Sequence, residues 1–266
     1  MIPIIRQELW QRKWYSFFWI IGVAAFIALV IGVYPAFRHQ SAQLNKSLNQ
    51  LPAAVKSLAA DTNENLLSPV GYMSSNVYYL MLPILYGIVA IGLGGSILAR
   101  DEQNHTLELL LSRPVSRTKV LAAKALAGIT ILAMIAAGTI LATVVLAWLT
   151  NLGLSLWHLT LATIMAALMA LVFGALAFTL TAIGHSARIA SVGVSVLLLV
   201  ASYLFTSLAG TVHWLKWPST LLPYHYYHPS PIMDGSFTGK AALGMLGVIV
   251  IFALIAVLTF RHRDID

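Results

Sequence analysis

The side chains best suited to chemistry fall in two places. One is Tyr224-His225-Tyr226-Tyr227-His228-Pro229, with His213 upstream. Two histidines three apart can share a metal ion, and copper or zinc handling would be the chemistry. Carboxylate and cysteine donors are missing nearby except for Asp234, and Pro229 disfavours a continuous helix. The residues read as interfacial imidazoles and phenols satisfied by water and lipid headgroups, with no metal. His158 reads as an interface residue, and His185 beside Arg188 as a loop group. The chain has no cysteine, so disulfides and thiolate sites are excluded. There is no G-x-x-x-x-G-K-[ST] phosphate loop, no H-E-x-x-H helix and no intramembrane Asp pair, so no catalytic residue is assigned.

The second place is the run from Arg100 to Lys119, a dense island of charge in a chain that is otherwise nearly all hydrocarbon. Its chemistry is mechanical rather than covalent. A short amphipathic helix is expected to start near Asn104 or Thr106 and to stop at or before Pro114. Leu107, Leu110 and Leu111 have i, i+3, i+4 spacing and form an apolar face, while Glu108 points elsewhere. Asp101 and Glu102 suit a helix N-terminus through the dipole, and Arg113, Arg117 and Lys119 supply the positive C-terminal side. A helix of about eight residues is marginal alone. It needs neighbouring helices or a partner.

Composition names the elements that must carry these residues. Hydrophobic side chains make up 59% of 266 residues, charged ones 9%, and mean hydropathy is +0.83. Soluble domains carry about 25% charged residues, so this is an integral membrane protein. A spanning helix needs about 20 apolar residues. Runs at about 17–37, 77–99, 121–149, 159–183, 189–209 and 241–260 predict six spans in one transmembrane domain covering 1–266. No Asp, Glu, Lys or Arg occurs between Ala125 and Ala187, and Asn151-Leu152-Gly153 with Trp157-His158 is where that run divides. The first apolar run continues to Val33 with no A-x-A-like site after it, so it reads as a retained helix rather than a signal peptide.

With both termini in the cytoplasm, Arg6, Arg12, Lys13, Arg100, Arg113, Arg117, Lys119, Lys124, Arg188, Arg261 and Arg263 lie inside. Only Arg38, Lys46, Lys56, Lys216 and Lys240 lie outside, and this asymmetry sets the expected topology. The net charge of +7 is therefore a topology signal and an attraction to anionic headgroups, not a nucleic-acid footprint. Residues 1–16 read as an interfacial elbow helix: Ile2, Ile5 and Leu9 share a face, Arg6, Gln7, Gln11 and Arg12 cover much of the rest, and Trp10 and Trp14 sit at the headgroups. Residues 38–76 form a polar outer segment, part of it helical by the spacing of Leu44, Leu48, Leu51, Val55 and Leu58. Residues 210–240, rich in aromatics and proline, form a second outer segment that lies on or dips partly into the outer leaflet.

The run Glu102…Thr106-Leu107-Glu108-Leu109-Leu110-Leu111-Ser112-Arg113-Pro114-Val115-Ser116-Arg117 resembles the signature of ABC-2 type transporter permeases, the membrane subunits of type V ABC exporters. The ending Phe260-Arg261-His262-Arg263-Asp264-Ile265 resembles that family's Phe-x-x-Arg-Asp terminus. One departure is His105, where many members have Gly. The resemblance implies an all-α, six-span permease with an elbow helix, a coupling helix within cytoplasmic loop 100–119 and a partly re-entrant segment before the last span. It implies a separate ABC ATP-binding subunit carrying ATP and Mg, a second permease copy in a homodimer or heterodimer, and residence in a bacterial plasma membrane among its lipids. This chain itself is expected to bind no cofactor. By the resemblance, Glu102, Thr106, Leu107, Glu108, Leu110, Leu111, Ser112, Pro114 and Arg117 couple to the ATPase, and elbow residues Ile5, Arg6, Leu9 and Arg12 lie against it.

The uncharged walls favour a hydrophobic or amphipathic cargo such as a lipid, drug or peptide. A sodium or other small-ion ABC exporter is the alternative, and an ion-gradient-driven carrier or channel a further one. Carriers usually place ionisable groups within the membrane, and the predicted spans carry none. Gly128, Ala136, Gly138, Ala166, Ala170 and Gly174, like Gly92-Leu93-Gly94-Gly95, are small residues that let helices approach closely, within one subunit or between two.

Overall fold

The computed structural model describes residues 1–39, 52, 55, 57, 68–103, 116–150, 152–184 and 188–261, with the side chains of 36–39, 102 and 103 excepted. The described residues are helical, and six of the helices are long and apolar enough to cross a membrane. An N-terminal helix α1 (Ile2–Gln11) leads at Arg12 into the first span, α2 (Lys13–His39). The second span is composite: α3 (Pro69–Met73), a π-helical turn (Ser74–Tyr79), α4 (Met81–Ile97) and the short α5 (Ala99–Gln103). The remaining spans are α6 (Arg117–Leu149), α7 (Leu156–Ile183), α8 (Arg188–Leu208) and the last helix, Lys240–Arg261. Between α8 and that helix lie a 3-10 turn at His213–Leu215, α9 (Lys216–Ser219), a second 3-10 turn at Pro223–Tyr226 and α10 (Pro229–Met233). The last span is α11.

Several boundaries move. The elbow ends at Gln11, so residues 13–16 belong to the first span. The second span starts at Pro69, not 77, because Ser68 caps it by accepting the Gly71 amide at 3.0 Å; outer segment 38–76 loses its last eight residues to helix. The third span starts at Arg117, four residues before the apolar run at 121. Hydropathy marks where a helix enters hydrocarbon, whereas the backbone hydrogen bonds continue into the headgroup layer.

The second and fourth spans form the centre. Sixty-seven per cent of the apolar window of the second span is buried, against 11% for the last. Helix α7 packs on α4, α6, α8 and α11, with Ala162, Ala166, Met169, Ala170 and Ala177 fully enclosed. Lipid is as apolar as leucine, so helices associate through close contact rather than through a hydrophobic drive. The α4/α7 crossing supplies that contact. A Cβ on Gly94 would strike the Gly174 carbonyl oxygen, and one on Gly174 would lie 2.9 Å from the Ala90 carbonyl oxygen. Gly138 similarly seats Ile20 of α2. By contrast, a Cβ on Gly92 would meet nothing, so only part of the Gly92–Gly95 cluster works in packing. The small residues named above thus act within the subunit at Gly128, Gly138 and Gly174.

The segment between α8 and α11, the one expected to be re-entrant, docks on a break in the second span. Pro83 has no amide hydrogen, so the carbonyl of Tyr79 loses its donor four residues on. The π-helical turn and the bent dihedrals of Leu80 (φ −120°, ψ −55°) interrupt the regular ladder beside the Tyr78 carbonyl as well. In hydrocarbon these groups must find partners inside the protein. The Tyr224 hydroxyl donates to the Tyr79 oxygen, and the Tyr227 hydroxyl donates to the Tyr78 oxygen at 2.8 Å. Ser74 and Ser230 hydroxyls meet at 2.7 Å, and the Tyr224 amide donates to Ser202 Oγ of α8 at 3.0 Å. Tyr224 and Tyr227 are therefore buried, which corrects their reading as headgroup aromatics; Tyr226, Trp214 and Trp217 are exposed and keep it. Removing one phenol leaves a buried carbonyl unsatisfied, at about 1–3 kcal/mol. Tyr224→Phe is expected to lower thermal stability in detergent by that order, and Pro83→Ala, which restores an amide, to return part of it in the double variant.

Candidate functional site

The most charged structure among the described residues lies at the end of the bundle that holds α1 and the C-terminal end of α11. Helix α1 carries Glu8 in its middle, α5 continues the second span to Asp101, and α6 carries Lys124 two turns from its start. The Lys124 ammonium bonds Glu8 Oε1 and lies 2.5 Å from Asp101 Oδ2. Arg12 Nε donates to the second oxygen of Glu8 at 3.4 Å, one helical turn along. Glu8 is 5% exposed and Lys124 3%. Two carboxylates and two cations cancel, so the cluster is neutral as a whole.

Each member is placed for a local reason. Helix α1 starts with Pro3 in its first turn, where a missing amide costs nothing. Its inward face is Glu8 with the half-buried Ile5 and Leu9, whereas Ile2 is 79% exposed, so the expected Ile2–Ile5–Leu9 stripe is split. The ion pair turns the helix: Glu8 must face Lys124, and Ile2 and Trp10 are left outward for the headgroup region. Arg6 is exposed, while Arg12 is held by Glu8. Ser16 donates to the Arg12 carbonyl at 3.2 Å, and Lys13 lies 4.5 Å over the Trp10 ring, which joins elbow to span. Helix α6 opens at Ser116 with Arg117 and Lys119 exposed in its first turn, a placement the helix dipole disfavours. The buried carboxylates of Glu8 and Asp101 stand near that end.

The arrangement clamps the two roots of the charged loop. Asp101 stands just before residues 104–115 and Lys124 just after, and Glu8 ties both to the elbow. Of the residues singled out for coupling, Glu102 has its backbone in α5, and Arg117 sits exposed in the first turn of α6. Thr106, Leu107, Glu108, Leu110, Leu111, Ser112 and Pro114 lie outside the described residues. So does most of the spacing that predicted a helix within 38–76.

Sequence reasoning missed this cluster, and it took the spans to be free of ionisable groups. Lys124 corrects that: it lies within the 121–149 run and is buried there. The signal was scarcity. Only nine acidic residues occur in the chain, and Glu8 and Asp101 both serve one lysine. Next to it an apolar cavity of about 380 Å³ lies between α4, α6, α7 and α11, walled by Leu93, Ile129, Phe178 and Ala253 and touched by Lys124.

At the opposite end, the His225 and His228 rings lie 6.3 Å apart, centre to centre. Among the described residues no three metal-ligating side chains gather. His158, at the start of α7, packs against Gly235 of the re-entrant segment, whose φ of 82° suits glycine.

Leaving one buried charge without its partner costs about 3–5 kcal/mol. Lys124→Met, which takes the ammonium from both carboxylates and leaves only Arg12 on Glu8, is expected to destabilise more than Glu8→Gln, which leaves the Lys124–Asp101 pair. The quadruple variant Glu8→Gln, Arg12→Gln, Asp101→Asn, Lys124→Met, which removes both carboxylates and both cations, should recover most of the loss, read by thermal unfolding in detergent.

The family model described as ABC-2 family transporter protein matches residues 2–265. Comparison with curated proteins gave no match.

Proposed function

This chain belongs to the ABC-2 transporter family, so it is the membrane permease of an ABC transporter, and we propose that it is the conduit half of an ATP-driven exporter. Family membership makes it a transport subunit without chemistry of its own, working with an ABC ATP-binding partner. The finer reading has two permease copies in a bacterial plasma membrane, with both termini in the cytoplasm and two ATPase subunits, carrying ATP and Mg, beneath them. The excess of Lys and Arg on the terminal side supports that orientation.

The observation that carries the coupling mechanism is the ionic cluster at the loop roots. A push on residues 104–115 reaches Asp101 and Lys124 together, and through Glu8 it reaches the elbow. Because α4 and α7 touch backbone to backbone at Gly94 and Gly174, displacement of the second span carries the fourth with it. In this reading Glu102, Thr106, Leu107, Glu108, Leu110, Leu111, Ser112, Pro114 and Arg117 receive force from the ATPase. The elbow residues Ile5, Arg6, Leu9 and Arg12 pass it on. ATP-driven closure of the ATPases would then switch a cavity between the paired permeases from inward to outward access. Exposed apolar faces on α8 (Leu197, Val200, Leu204) and the apolar cavity beside Lys124 favour a hydrophobic or amphipathic cargo.

Two measurements test this. Leu107→Asp with Leu110→Asp is expected to abolish copurification of the ATPase in detergent while the permease still elutes as a folded species; unchanged recovery removes the coupling assignment. Since the chain has no cysteine, single Glu108→Cys and Ser236→Cys variants can be labelled in whole cells. Ser236→Cys should react with an impermeant maleimide, and Glu108→Cys only after permeabilisation.

A further inference from the structure

A second cavity lies at the end of the bundle away from the termini, enclosing about 810 Å³ between the re-entrant segment, α7, α8 and α11. That is within the range of about 300–1,000 Å³ typical of ligand sites. Its two ends differ in chemistry. The rim carries His225, His228, Tyr226, Thr238 and Lys240, and the body carries Phe173, Leu176, Leu198, Met245, Val248 and Phe252. Among the described residues no carboxylate lines it. Burial and the neighbouring His228 hold His225 below the usual histidine pKa, so at neutral pH its imidazole is a hydrogen-bonding group and Lys240 supplies the charge.

The dimensions select the occupant. From Lys240 to Phe252 is twelve residues of one helix, about 18 Å at 1.5 Å per residue, close to the roughly 15 Å depth of one leaflet's hydrocarbon. A water-soluble anion would use the rim alone and leave the apolar column empty. The outward face of α11 is apolar and exposed in the single subunit at Leu243, Leu246, Val250 and Leu254, which leaves an occupant a lateral path from the bilayer. We propose that this cavity binds an anionic phospholipid of the leaflet on that side, its phosphate at Lys240, His228 and His225 and one acyl chain along Phe173, Val248 and Phe252. This site belongs to a single subunit. It requires only that α7 and α11 cross the bilayer, and it does not depend on the cargo or the ATPase partner.

The test uses the full chain, delipidated in neutral detergent and titrated with phosphatidylglycerol or phosphatidylcholine of identical chains, with bound lipid counted by native mass spectrometry. A basic side chain near the surface adds about fivefold in affinity for an anionic lipid, so the unmodified chain should prefer phosphatidylglycerol by at least that factor. Lys240→Gln with His228→Gln should bring the preference to near unity while either lipid is still retained. Gly244→Phe should remove both lipids: Gly244 lines the cavity, and a Cβ there meets nothing, so the ring fills free space without straining the bundle. An unchanged preference in the first variant, or unchanged retention in the second with normal thermal stability, overturns the proposal. Displacement of the lipid by millimolar inorganic phosphate would overturn it as well, because it would make the rim a site for free anions.

Discussion

A bilayer offers no water to a broken hydrogen bond or an isolated charge, and this protein contains both. Pro83 opens the backbone of the second span, and Lys124 carries an ammonium into the start of the third. Much of what distinguishes the fold from six plain rods is the set of partners these two residues require. The carbonyls at the break draw Tyr224 and Tyr227 out of the headgroup region and fix the re-entrant segment against α3, the π-helical turn and α8. The ammonium draws in Glu8 and Asp101, and with them the elbow and the end of the second span.

These two knots sit at opposite ends of the same composite helix. Between them α4 is bound to α7 through glycines whose backbones touch, a contact no larger residue could share. The second span is thus held at its loop root by ions, in its middle by backbone contact and at its far end by phenol hydroxyls. The loop root and the re-entrant segment are joined by a continuous, closely packed helix. The outer spans are different: α8 and α11 show most of their surface outward, as suits elements that meet lipid or a second subunit.

The polar residues therefore sort by what they must satisfy rather than by polarity. Tyr78 bonds Thr163 at 3.1 Å inside the bundle and Tyr79 bonds Ser207 at 2.7 Å, while Tyr226, in the same aromatic run as Tyr224, is exposed. Thr139, Thr143, Thr163 and Thr181 return their hydroxyls to the carbonyl one turn earlier, which lets them sit in an apolar interior. His225, His228 and Lys240 instead face a cavity, forming a polar mouth above an otherwise largely hydrocarbon-lined volume.

Read alone, the residues determined the class, the six spans and the family, because hydrocarbon length and charge content are sums over local stretches that need no tertiary partner. The loop signature was legible for the same reason, being contiguous. What only the tertiary structure decided were the pairings across long separations. Glu8 finds Lys124 116 positions away, and Tyr227 finds the Tyr78 carbonyl 149 positions away. Nothing in the spacing of Tyr224 to Tyr227 distinguishes a headgroup phenol from one that caps a carbonyl. That choice rests on Pro83, a residue far away in sequence whose missing hydrogen makes the demand. The split of the elbow's apolar stripe has the same origin: a buried ion pair outweighs one exposed isoleucine at the headgroup layer, so charge rather than periodicity set the face.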